Sequence, residues 1–150
     1  MVEVTGGERL ERTLSDIARL ASNAKEVRVG FLADATYPDG KPVALIAAIL
    51  NWGAPSRGIL GWPFFSDMIQ KRQREWGPAI GNLLVKNGYD ALRTLQLTGE
   101  AVAGQLRTSI VETNDPPLAP STIARKGFAK PLVWTGHMLN SVDYEVKAHE

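Results

Sequence analysis

Cysteine is absent from this chain, which excludes disulfides, thiol nucleophiles and thiolate metal sites together. Histidine, the commonest general base, occurs only twice, at His137 and His149. Net charge is scarce: 17 basic residues stand against 16 acidic ones, a balance of +1. No global field therefore demands nucleic acid or an anionic membrane. The middle third, residues 51–100, leans basic by 6 to 4. Long apolar runs are also missing. The longest, VALIAAIL from Val43 to Leu50, is too short for a membrane span. The opening MVEVTGGERLERTLSD is charged and lacks the apolar core of a signal peptide. These features lead to the expectation of folding in a cytoplasm. Repeats and low-complexity tracts are missing too.

What is present is an ordinary globular composition, 44% hydrophobic and 22% charged over 150 residues. That suits a single domain, 1–150, with a real core. Leu10, Leu14, Ile17 and Ala21 recur at helical spacing, which predicts an amphipathic helix over 8–22. EVRVGFLA then alternates as a strand, with Val27, Val29 and Phe31 on one face. TYPDGK supplies a turn, and PVALIAAILNWG reads as a short buried helix ended by Gly53.

Residues 51–65 read NWGAPSRGILGWPFF, with two tryptophans and two phenylalanines among three glycines and two prolines. Glycine and proline forbid one long helix or a central strand here. A loop normally stays polar, so this one either folds over a core or contacts another protein. Trp52, Trp62, Phe64 and Phe65 are its candidate contact residues, Trp62 being held extended by the proline that follows.

Beyond the loop, Ser66 or Asp67 is positioned to cap a helix carrying Phe65, Ile69, Trp76, Ile80 and Leu84. Gly77-Pro78 predicts a kink or break in it. After Gly88 the pattern resumes with Leu92, Leu95, Val102, Leu106 and Ile110, giving a helical hairpin. Asn114-Asp115-Pro116-Pro117 stops it, and PSTIARKG reads as a single capped turn. SVDYEVKA alternates as a half-buried strand that can pair with the strand at 26–33. The fold class expected is α+β: a small antiparallel sheet of the N- and C-terminal strands, packed with several helices including a long kinked hairpin.

Chemistry is thinly represented. No nucleophile elbow, zinc-protease helix or phosphate-binding glycine loop occurs. Asp143 and Glu145 share a strand face about 7 Å apart, a spacing that with His137 permits a hydrolase reading. The plain reading is a solvated outer face. His149 lies at the chain's end, a poor place for a catalyst. Lys71, Arg72 and Arg74 form a basic cluster that can track phosphates. The plain reading is the wet side of a helix, unless Arg57 and Arg93 share its face.

Two segments carry a family resemblance. VALIAAILNWGAPSRGILGWPFFSDMI resembles the A-x-x-x-E-[FW]-G … I-P-x-R-P-F-[FL]-R segment of small phage tail and neck proteins. PPLAPSTIARKGFAKPLVWTGHMLNSVDYEV resembles their P-L-[SA]-x-x-T-I-x-x-K-G … P-L-x-[DW]-T-G-x-L-x-x-S-[IV]-x-Y-x-V ending. These are the virion-morphogenesis and tail-completion proteins of long-tailed phages, including relatives of the lambda-type minor tail protein Z. With the strand VRVGFLADATYPDGKPVA the matches span about two-thirds of the chain, in order. Asn51 stands where the family often has glutamate. Gly61-Trp62-Pro63 stands where arginine often precedes Pro-Phe, and Trp134 where aspartate is common.

The resemblance implies a structural virion protein and no enzyme, cofactor or metal. It implies a neck or tail-completion component at the head-proximal end of the tail, in the virion after assembly in a host cytoplasm. Several copies, six in the expected case, would ring the DNA channel beside the tail terminator, tail tube and head connector. Lys71, Arg72 and Arg74 would be its DNA-facing residues. Gly53, Pro63, Thr135, Gly136, Leu139 and Tyr144 would punctuate the fold, Thr135 by capping the turn GHMLNS. A tail terminator or head-side stopper is the alternative in the same class, and a DNA-binding module is the alternative in another.

Overall fold

The computed structural model describes residues 5–117, 120, 124 and 136–148. Its elements are α1 (Gly7–Ala21), β1 (Ala24–Phe31), α2 (Val43–Trp52), a 3-10 turn (Pro55–Arg57), α3 (Phe64–Lys86), α4 (Ala91–Glu112), a short α5 (His137–Asn140) and β2 (Val142–Ala148). Thr135, Trp134, His149 and most of the expected turn at PSTIARKG lie outside the described residues.

The two strands pair antiparallel, as their alternation predicts. Val27 faces Val146, Val29 faces Tyr144 and Phe31 faces Val142 across the ladder. The period of two sends these side chains inward and the charged ones outward. On the outer face Arg28 pairs with Glu26 at 2.9 Å, and Lys147 reaches Glu26 at 3.5 Å. The sheet is thus a small α+β platform with one apolar side.

That apolar side lies on α4. Ala103, Leu106 and Ile110 of α4 are completely buried with Val43, Phe64 and Val142. Close approach depends on Gly99: a methyl group there would sit 2.5 Å from the Tyr144 ring and 2.8 Å from Val27. The half-buried Tyr144 therefore locks strand to helix through a position where only hydrogen fits.

α3 and α4 form the expected hairpin, turned through Gly88 and Tyr89, both left-handed. Trp76 donates its indole N–H to Gln105 across the pair at 2.9 Å. Of the kink or break expected at Gly77-Pro78, the break does not occur; α3 runs through it with Pro78 inside. Proline frees the carbonyl of Arg74, but both residues are exposed, so water can satisfy it. Packing of α3 on α4 holds the rest.

The start of α4 is capped both locally and from a distance. Asp90 accepts from the Arg93 N–H at 3.1 Å, and Asn23 accepts from the Leu92 N–H at 2.7 Å while donating to Asp90. The Asn23 amide first, then the Arg93 N–H, hold the Asp90 carboxyl below its ordinary range. The turn TYPDGK closes as expected, with Gly40 at φ 84°. The Lys41 N–H and ammonium hold the Asp39 carboxyl low.

α1 forms where its pattern predicts, but none of its residues is buried. Leu10 is 60% exposed and Leu14 55%. The inner face of the sheet is already occupied by α4, so among the described residues most of the apolar stripe of α1 stays uncovered, with Ile17 half-buried.

Candidate interaction surface

The aromatic loop is built by glycine. α2 ends at Gly53 with φ 77°, and Gly53 stacks on Gly61: a methyl group on Gly53 would lie 2.8 Å from the Gly61 nitrogen. The Trp62 N–H reaches the Leu50 carbonyl at 2.7 Å, closing the loop at its base. Between them the chain turns through the 3-10 segment and an Ala54–Ile59 bridge.

Asn51 anchors this loop to the next helix. It is buried, and its Oδ1 accepts from the Phe65 and Ser66 N–H groups at 3.0 and 3.1 Å. Its Nδ2 donates to the Ser66 hydroxyl at 2.6 Å. Asn51 therefore caps α3 from the last turn of α2, satisfying N–H groups that a helix start leaves without partners. The expected cap by Ser66 or Asp67 is corrected: helix α3 begins earlier, at Phe64, and both residues lie inside it.

The four aromatic residues separate. Trp52 is 74% exposed; Leu45 on the same helix and Leu60 in the loop are exposed too. Phe65 is half-buried and tilted against Phe31 at 6.5 Å. Trp52 and Phe65 line one apolar hollow of about 310 Å³ with Ala44, Ala48 and Gly30. Phe64 is wholly buried, edge-on to Phe31 at 6.4 Å, so its expected interface role is corrected to core. Trp62 is half-buried against the core, and its indole N–H donates to the Pro116 carbonyl. It ties the loop to the segment after α4 and spends its polar edge inside the chain, while the rest of the ring stays half-exposed. The surface left for a partner is centred on Trp52.

Of the other punctuation residues, three lie among the described ones. Pro63 precedes α3, Gly136 takes φ 71° before α5, and Leu139 packs half-buried against the core. Sequence reasoning missed Asn51, Gly61, Gly99 and Asn23. Asn51 carried the one available signal, a polar side chain closing an apolar helix.

The basic residues do not assemble. Lys71, Arg72 and Arg74 are exposed on α3, and Arg72 pairs with Glu75 at 3.2 Å. Lys71 and Arg72 border an α3–α4 groove of about 740 Å³ that also carries Asp67, Glu112 and Asp115, so its charge is mixed. Arg93 lies in the first turn of α4, beyond the turn that follows α3. Arg57 lies in the aromatic loop.

The hydrolase candidates are likewise apart. His137 Nε2 donates to the Thr36 carbonyl at 2.8 Å, and its ring lies 4.9 Å from Tyr37. Burial first, then the Asp39 charge, push the Tyr37 phenol up. Asp143 accepts from the Tyr144 N–H, and Glu145 faces Arg28 at 3.8 Å. Among the described residues no hydrogen bond links His137 to either carboxylate. No group of three His, Asp or Glu there is placed to hold a metal ion, and no helix is long and apolar enough to cross a membrane. Comparison with protein-family models, with curated proteins and with solved structures gives no match.

Proposed function

We propose that this chain is a structural virion protein of a tailed phage, a neck or tail-completion component that helps join tail to head. It acts by assembly, as several copies in a ring around the DNA channel, against the tail terminator, tail tube and head connector. The observation that carries this reading is the loop at 51–65. Glycine contacts and the Asn51 cap fix it, yet it leaves Trp52 at 74% exposure and Leu60 at 63%. Ordered, exposed apolar surface of this kind marks contact with another protein. The ordered pair of sequence motifs supplies the kind of assembly. Mixed charge in the α3–α4 groove gives little support to a free DNA-binding module. Gold-labelled antibody against the chain, applied to intact particles, tests the location. Label at the head–tail junction is expected; particles that contain no trace of the chain would refute it.

A further inference from the structure

Among the described residues two apolar surfaces are left largely uncovered, and they are compatible. The first is the stripe of Leu10, Leu14 and Ile17 on α1, a helix with no buried residue. A lone 15-residue amphipathic helix is marginal in water and gains its stability by docking. The second runs along the edge of β1 that faces away from β2. Among the described residues β1 pairs with β2 alone. Beside it, the hollow next to Trp52 and a second hollow of about 280 Å³ share Val29 and Phe65, so they form one trough. Val27 and Val29 make one wall of the second hollow; Phe65, Ile69, Trp76 and Ile80 of α3 make the other.

The two surfaces are compatible in length and chemistry. From Phe65 to Ile80 the α3 wall advances about 22 Å, room enough for the Leu10-to-Ile17 stripe of α1, which spans about 10 Å. No charged side chain lines either hollow. That suits an uncharged helix face and offers nothing to a phosphate. The charges of α1, among them Glu8, Arg12 and Arg19, fall on the opposite side of its wheel.

We propose that α1 of one copy lies in the β1–α3 trough of the next copy. The mode is an amphipathic helix in an apolar groove. Stripe and trough are different patches, so the contact is head-to-tail and closes into a ring if its rotation allows. The inference rests on the reading that the chain assembles with itself, and it names the two faces that meet.

The absence of native cysteine makes the test direct. One preparation carries Leu14→Cys, and a second, of different size through a tag, carries Ile69→Cys. The two are mixed at high concentration with a short bifunctional maleimide. A covalent heterodimer is expected in the mixture, and it should fall at least tenfold when Leu10→Glu is added to the Leu14→Cys chain. Circular dichroism checks that this chain is still folded, as the exposure of Leu10 predicts. No heterodimer overturns the proposal, whether the trough takes an added strand or nothing. So does a doubly substituted chain that cross-links only within itself, because α1 then fills its own trough. The functional reading fails separately. Normal virions from a Leu10→Glu/Leu14→Glu phage end this inference alone. Cross-linking as expected, beside normal virions without the chain, ends the neck assignment alone.

Discussion

Replacing Asn51 with alanine removes the cap of α3 and leaves its helix start unsatisfied. In the intact chain one amide oxygen accepts from the Phe65 and Ser66 N–H groups, and the amide nitrogen donates to the Ser66 hydroxyl. Loss of a side-chain cap costs about 0.5–2 kcal/mol. A partly buried donor left without a partner adds about 1–3 kcal/mol. Water reaches the site incompletely because Asn51 is buried, so we expect a net loss of about 2–4 kcal/mol. For a chain of this size that lowers Tm by about 6–12 °C. Asn51→Asp keeps both acceptor contacts beside the positive end of the helix and should lose less. Urea unfolding followed by far-UV circular dichroism measures both variants. An Asn51→Ala chain within about 0.5 kcal/mol of the native one would refute the cap.

Gly99→Ala places a methyl group 2.5 Å from the Tyr144 ring and should cost about 1–3 kcal/mol net of the helical gain. Gly104→Ala in the same helix meets nothing within 4 Å and should stabilise by up to about 1 kcal/mol; denaturant midpoints separate the two. Trp52→Ser should leave stability within about 0.5 kcal/mol, while Trp62→Ala should cost about 2–4 kcal/mol in the isolated chain, and equal losses in thermal melts would contradict the division of the loop. The folded state lowers the Asp90 carboxyl, so its contribution is present above the ordinary value near about 3.9 and is lost as pH falls through the lower folded-state value. Asp90→Asn keeps an acceptor without the titration and should show a flatter decline of Tm on acidification.

The parts legible in the sequence were those whose cause is local. Alternation at 27–31 and 142–146 announced which faces would be buried, because a one-residue slip would turn every side chain to the other face. Gly53 announced the end of α2 because a left-handed residue there favours glycine. Other features depend on what is near in space. Local rules look for the cap of α3 at its own start, but the cap comes from 14 residues upstream. Gly99 and Gly104 look alike in the helical pattern, and only the Tyr144 ring distinguishes them. Trp52 and Trp62 look alike as loop aromatics, and the Pro116 carbonyl decides which is held inside. The proline in α3 predicts a break by its intrinsic cost of about 3 kcal/mol, yet packing against α4 outweighs it. Amphipathicity in α1 announced an apolar face without saying what covers it.

Electron microscopy of a lysate from a phage deleted for this gene tests the central claim most directly. The account predicts DNA-filled heads beside separate, unjoined tails, with joining restored when the chain is supplied from a plasmid. Intact virions in the deletion lysate would contradict it.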